Sequence, residues 1–210
     1  MRKILFAVAG LLALISCNSN EPKAETAAKT DGNAIVENIM TRTSIRAYMN
    51  QAISNDTIET LLRAGMAAPT AVNKQPWHFI AITDRAMLDS VAIANPNAGM
   101  AKKAPLVIVV CGDLKKALEG PAQAYWVQDC SAATENILLA AHGLGLGAVW
   151  TGIYPMKERL DAFNQLLKLP EAIVPLCAIV IGHPAEQPEP KDKWLPENVS
   201  YNVFGGQQSK

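Results

Sequence analysis

With 210 residues, half of them apolar and 18% charged, the chain has the composition of one globular domain with a real core, plus short extensions. Its 19 basic and 19 acidic residues cancel, which leaves no long-range field for gathering nucleic acid or coating an anionic membrane. Any anionic ligand must therefore be held by a local cluster of cations.

The chain opens on a targeting segment. Arg2 and Lys3 precede an apolar run, Ile4 to Ile15, of 12 residues, against the roughly 20 that a membrane-spanning helix needs. The run ends at Leu14-Ile15-Ser16-Cys17, which resembles the lipobox of bacterial lipoproteins. That resemblance implies cleavage before Cys17, acylation of its thiol and a domain held at a bacterial membrane, facing the periplasm or the cell-envelope exterior. A plain secretory signal with an incidental cysteine is the other reading. Residues 1–16 are then a lipoprotein signal peptide and 17–33 a flexible polar tether carrying Pro22 and Gly32. The folded domain is expected over 34–210.

Within it, Ala34 to Met40 reads as a short helix. Ser54 caps a second, with Ile58, Leu61, Leu62 and Gly65 on one face and Pro69 beyond its end. Trp77 to Thr83 alternates as a strand, and Asp84 caps a helix through about Ala94. Pro105 to Cys111 is a continuous apolar run, the mark of a strand buried on both faces. A long helix is expected from about Pro121 to His142, with Cys130, Ala133, Ile137, Ala140 and Ala141 inward. Ala148 to Gly152 reads as a short strand or an extended turn. Pro155 suits the first turn of a helix ending near Leu169-Pro170. Ile173 to Ile181 is the last core strand, followed by a proline-rich extended tail through Phe204. Helices alternating with buried strands indicate a sheet sandwiched between helices, in the α+β or α/β range.

Cys111 and Cys177 fall in apolar runs and read as inert core thiols; with Cys130 they do not make a disulfide framework. His78, His142 and His183 stand apart without metal-ligand spacing or a nucleophile beside them, so no metal site is expected.

Three segments carry chemistry. In Arg42-Thr43-Ser44-Ile45-Arg46, two guanidinium groups four residues apart flank a hydroxyl and can surround a phosphate. Taken alone, the segment equally fits an exposed polar turn after a helix. In Pro69-Thr70-Ala71-Val72-Asn73-Lys74-Gln75-Pro76-Trp77, two prolines bracket a loop. Its asparagine offers donors and acceptors to a ring edge, or else caps its own backbone. Gly143-Leu144-Gly145-Leu146-Gly147-Ala148 fits the dinucleotide-binding glycine pattern letter for letter, but a strand must precede that pattern and a helix follow it, and here the order is reversed. These glycines instead end the long helix and open a strand, while Gly152, after Thr151, lets backbone come close to a flat ligand.

In order and spacing, R-x-S-x-R, P-T-x-x-N-x-Q-P-W and L-G-L-G-x-x-W-T-G resemble the FMN-dependent nitroreductase family, over nearly all of the chain from Val36 to about Tyr201. The resemblance implies an α+β fold, a three-layer α/β/α sandwich, in a homodimer with two FMN sites at the subunit interface and the tail from Glu186 to Phe204 wrapping the partner. It implies that Arg42, Thr43, Ser44 and Arg46 hold the FMN phosphate and ribityl chain. Asn73 would bond the isoalloxazine, and Thr151 and Gly152 would present backbone amides near N5. Lys191 and Lys193 match positions of basic phosphate contacts, or form a solvated basic tail. Thr43 stands where many members carry a second basic residue, Thr70 where many carry serine, and lysines replace an arginine often found near the end.

The activity implied is ping-pong hydride transfer through flavin N5 to an electron-poor acceptor such as a nitroaromatic or quinone, with no catalytic side chain required. Nicotinamide nucleotides are the family's usual donors, yet they belong to the cytosol while a lipoprotein's domain faces outward. Two further readings stand beside it: a different flavin reaction on the same fold, either reductive dehalogenation or oxidase-type dehydrogenation, and a lipid-anchored flavin carrier without catalysis.

Overall fold

The computed structural model describes residues 32–208. The expected signal peptide, Cys17 and nearly all of the expected tether lie outside the described residues. The first helix, α1 (Gly32–Thr41), begins two residues before the expected domain boundary.

Local rules place most elements. In α2 (Asn55–Met66) the Ser54 hydroxyl accepts from the Thr57 N–H, satisfying one of the free amides of the first turn. Strand β1 (Trp77–Ile82) leads to α3 (Arg85–Ala94), where the Asp84 carboxylate accepts from the Met87 N–H in the same way. Strand β2 (Leu106–Asp113) is the uninterrupted apolar run. Helix α4 (Tyr125–Gly143) starts later than expected, because Gly120, at φ +60°, and Pro121 open a tight turn over Gly120–Ala124 that precedes it. It ends in a Schellman arrangement: Gly145 N–H donates to His142 O at 2.9 Å and Leu146 N–H to Ala141 O at 2.8 Å, with Gly145 at φ +72°. The glycine-rich segment is thus a helix stop leading into β3 (Gly147–Gly152).

Pro155 is not in a helix. It follows a cis peptide bond, Met156 takes the N-cap position, and α5 (Lys157–Leu167) ends where Lys168 turns left-handed, at φ 52°. Strand β4 (Ile173–Gly182) is the last.

The four strands run in the order β1-β2-β4-β3, every neighbour antiparallel. This is an α+β sheet. Alternation along β2 sends Leu106, Ile108 and Val110 to one face, where Leu61 of α2 and Ala133 and Ile137 of α4 cover them. Val107, Val109 and Cys111 face the opposite side, beneath Leu88 and Val91 of α3 and Phe163 of α5. Two cores on the two faces give the three-layer sandwich that the sequence led us to expect. Close packing between layers asks for glycine at Gly112, where a Cβ would stand 2.3 Å from the Trp126 ring. A bulge in β4 sets Cys111 opposite Pro175 and leaves Leu176 extra, and the Leu176 carbonyl accepts from both Ile153 and Tyr154 as the chain leaves β3.

All three thiols of the domain are free and fully buried. Burial raises Cys111 and Cys177 from the ordinary 9.0 to about 12, and raises Cys130 further. As pH rises, the unfolded chain loses these protons first. The stability they contribute is therefore complete below pH 9.0 and is lost as pH climbs toward 12, at up to about 1.4 kcal/mol per pH unit for each thiol. Denaturant midpoints should fall between about pH 8 and about pH 10.5, and iodoacetamide at about pH 8 should leave Cys111, Cys130 and Cys177 unlabelled until the domain unfolds. Labelling of the folded domain at any of the three would contradict this.

Candidate functional site

The segment after α1 is held against the sheet from two directions. Ser44 bridges to Ala148 at the start of β3, and Ile45 N–H donates to Ala148 O at 3.1 Å. Further on, Met49 N–H donates to His183 O and Ala185 N–H to Ala47 O, both at 2.9 Å, just past the end of β4. The buried Tyr48 hydroxyl donates to Ile45 O at 2.6 Å, with Val180 O 3.0 Å away. The Glu186 carboxylate then accepts from the N–H groups of both Arg46 and Ala47. A loop so pinned carries its side chains at fixed positions.

Those side chains line a cleft of about 600 Å³, the size of a small-molecule site. Arg42, Thr43, Ser44 and Arg46 form one wall, and the tail returns to place Lys191 and Lys193 in the same cleft, beside Trp194. Six of the nine cofactor-binding residues inferred from the sequence are brought together here. Four cations face three carboxylates, Glu135, Glu189 and Asp192, so the cleft has a positive excess although the chain as a whole has none. Arg42, only 18% exposed, is oriented by Glu135 of α4, 3.5 Å from its Nε. That contact uses Nε and leaves the terminal fork of the guanidinium to meet a ligand.

Asn73, Thr151 and Gly152 are not in this cleft. Asn73 is exposed in a strained loop in which Val72, Asn73 and Gln75 all have positive φ, at 48°, 56° and 49°. A β-branched residue such as Val72 rarely adopts that conformation, which costs of order 1–3 kcal/mol and persists only where surroundings impose it. Part of that imposition is visible. The buried Asp129 carboxylate on α4 accepts from Ala71 N–H at 2.8 Å, and the Thr70 hydroxyl accepts from Gln75 N–H at 3.1 Å. Gln75 also donates from its amide to Asn73 Oδ1 at 2.9 Å. Thr151 is buried, and its hydroxyl donates to Ala178 O at 2.7 Å, so its side chain belongs to the sheet.

Gly152 ends β3, an edge strand. Ile153 N–H bonds inward to β4, while Ala148 O bonds outward to Ile45. Antiparallel alternation therefore turns the N–H and C=O of Gly152 outward, away from β4. A Cβ added there would meet nothing within 4 Å, so backbone is open to a flat ligand at this point.

Some contributors were not legible in the sequence analysis. Gly147 read there only as the opening of a strand, and Gly182 was not singled out. A Cβ at Gly147 would lie 2.5 Å from Ile45, and one at Gly182 would lie 2.7 Å from Tyr48 and 2.8 Å from Pro105. Both glycines exist to let the cationic loop seat. Asp129 looked like one more helix residue, and Glu186 like the start of a tail. His142, expected to be bland, ties its Nε2 to the Thr41 hydroxyl at 3.0 Å, fastening the end of α1 just before Arg42. Among the described residues no cluster of His, Cys, Asp or Glu is arranged to hold a metal ion.

A profile of the nitroreductase family matches residues 39–96 and 90–183. A relative from Methanothermobacter thermautotrophicus, whose name carries the activities NADH dehydrogenase and NAD(P)H nitroreductase, is 44% identical over 165 residues, 79% of this chain and 85% of its own length. A crystal structure of a Bacteroides thetaiotaomicron protein of the same name is 45% identical, with a TM-score of 0.77, and the match covers 82% of this chain and 99% of that one. A protein of Desulfovibrio desulfuricans, named a nitroreductase and solved in complex with FMN, is 31% identical with a TM-score of 0.71 over 83% of this chain and 99% of its own.

Seating of the cationic loop can be tested without any ligand. Gly182→Val should push Tyr48 off its carbonyl partners and cost about 1–3 kcal/mol, read as a lowered thermal transition together with new protease cleavage within residues 42–49. A variant with wild-type melting and wild-type protection would refute the role of Gly182.

Proposed function

The chain belongs to the nitroreductase family, and from that premise we propose that it is an envelope-anchored, homodimeric enzyme that passes hydride from a small donor to an electron-poor acceptor such as a nitroaromatic or quinone. It is an FMN-dependent oxidoreductase. FMN, when bound, supplies the ring that accepts a hydride and passes it on.

The observation that carries this reading is the cleft in which Arg42 and Arg46 from one end of the domain meet Lys191 and Lys193 from the other. Residues so far apart in sequence have no local reason to converge. Three carboxylates offset part of that charge, and the excess, with two guanidinium groups to make fork-shaped bonds, suits a terminal phosphate. The hydroxyls of Thr43 and Ser44 suit the phosphate and the adjoining polyol chain. The outward N–H of Gly152 and its open flank suit the edge of a flat ring.

The work of the protein is then to bind, orient and shield. Glu135 holds Arg42 by Nε so that its fork faces the phosphate. Glu186 fixes the backbone of Arg46. Asp129 holds the strained loop that presents Asn73. No side chain is required as acid or base.

A second copy completes the arrangement in this reading. Ile35, Ile39 and Met40 expose an apolar stripe on α1, and the tail leaves Trp194, Val203 and Phe204 largely uncovered, Phe204 entirely so. Apolar surface of that kind marks an interface. Residues between Pro188 and Trp194 line the cleft of their own chain, and the tail beyond, from Leu195 to Phe204, is what reaches the partner in this reading. Asn73, standing outside its own chain's cleft, is then contributed across that interface.

Cys17 attaches the domain to a membrane through its acyl chains. Among the described residues no helix is long and apolar enough to cross a membrane. The relatives are named for NAD(P)H; with the domain outside the cytosol, either such a donor reaches it in the envelope or another reductant takes its place.

Two outcomes are expected. Arg42→Ala should weaken FMN binding by about 1.5–3 kcal/mol, roughly tenfold to a hundredfold, because a buried dianion loses a paired cation. Quenching of flavin fluorescence on titration measures it, and wild-type affinity would remove the phosphate role. Cys17→Ser should move the protein from the membrane fraction to the soluble fraction and abolish incorporation of labelled palmitate; unchanged membrane partition would end the lipoprotein reading.

A further inference from the structure

Two side chains without a part in holding the phosphate converge on the carbonyl of Gly152. Asn95, fully buried in the turn after α3, donates from Nδ2 to that oxygen at 3.2 Å, while its Oδ1 accepts from Asn97 N–H at 3.1 Å. Arg159, part-buried in the first turn of α5, donates from Nη1 to the same oxygen at 2.8 Å.

Arg159 occupies an unfavourable position. Among the described residues no carboxylate lies within ion-pair distance of it. It also sits at the N-terminal end of a helix, where the backbone dipole disfavours a cation. A part-buried guanidinium without a counter-ion carries a desolvation cost that one neutral carbonyl offsets only in part. Arg42, Arg63 and Arg85 each have a carboxylate partner, and Arg46, which has none, is exposed in the cationic cleft. The charge at Arg159 is therefore left over for something outside the protein. The oxygen it holds belongs to the same residue whose N–H faces outward at the open edge of β3.

We infer that Arg159 is a positioning residue for the flavin's reactive edge: through the Gly152 carbonyl, and with Asn95, it fixes the strand end that meets the ring and sets a positive charge behind it. The inference rests on the FMN reading of the preceding section. Reduction adds negative charge to the ring, whereas the oxidised ring is neutral. A cation held behind Gly152 thus strengthens binding of reduced FMN more than of oxidised FMN, and the bound cofactor becomes easier to reduce. Asn95 supplies the rigidity and Arg159 the charge.

The test compares wild-type protein with Arg159→Gln, which keeps a donor and removes the charge, Arg159→Met, which removes both, and Arg159→Lys, which keeps the charge. Each is loaded with FMN, and the potential of the bound flavin is measured by equilibration with reference dyes, alongside titration with oxidised FMN. Removing the charge should weaken binding of reduced relative to oxidised FMN by about five- to tenfold, read as a more negative potential. Lys should restore most of the loss. Either charge-free variant, folded by its thermal transition and holding FMN at the wild-type potential, overturns the inference. Wild-type protein that takes up no FMN removes the flavin reading itself, a separate result.

Discussion

The site depends on the seating of one loop, residues 42–49, against the open end of the sheet. Backbone bonds tie it to Ala148 on one side and to His183 and Ala185 on the other. Ile45 and Tyr48 enter the core of the face opposite α4. The fit has little slack, because at Gly147 and Gly182 any side chain would collide with Ile45 and Tyr48. Arg42 and Arg46 project from a segment that is itself part of the packed structure. A cation pair displayed this way loses little conformational freedom when it meets a phosphate, and that is where pre-organisation adds affinity.

From this constraint the rest of the site follows in sequence. Glu186 reads the same loop from the tail side, joining the first and last parts of the domain at the amides of Arg46 and Ala47. Past that clasp the tail bends back, and Lys191 and Lys193 enter the cleft. Helix α4 contributes twice: Glu135 orients Arg42, and Asp129 anchors the strained loop that carries Asn73. Different turns of one helix thus hold the cationic cleft and the strained loop. What these residues supply is geometric and electrostatic, which is what a flavin enzyme needs when the cofactor carries the chemistry.

Several conformationally costly features fall on the segments that carry the family resemblance: positive φ at Val72, Asn73 and Gln75 in the second, Arg159 without a carboxylate partner on the carbonyl of Gly152 in the third, and a positive cleft at the first. Lys168 and Asn202 add positive φ elsewhere. The two cores beneath it, by contrast, are built by ordinary rules, with buried thiols held far above neutral pH and alternating residues on each strand. A rigid, conventional sandwich is what allows a few residues to be held where they would not settle unaided.

What the sequence determined by itself was everything governed by neighbours along the chain. Ser54 and Asp84 announced their helices because capping is local. The run through Val107 and Val109 announced a doubly buried strand, and the reversed order of strand and helix disposed of the dinucleotide pattern at Gly143 to Ala148. Residue types and spacing also carried the family, and with it FMN. Only the tertiary structure decided which distant groups meet: the strand order, the seating of Ile45 and Tyr48 on Gly147 and Gly182, the return of Lys191 and Lys193, and the joint hold of Asn95 and Arg159 on Gly152. Pro155 shows the same limit on a small scale, since a proline that suited a first helical turn stands outside it. These outcomes turn on contacts between segments remote in sequence, whose energies appear only once the layers have packed, so no local pattern encodes them.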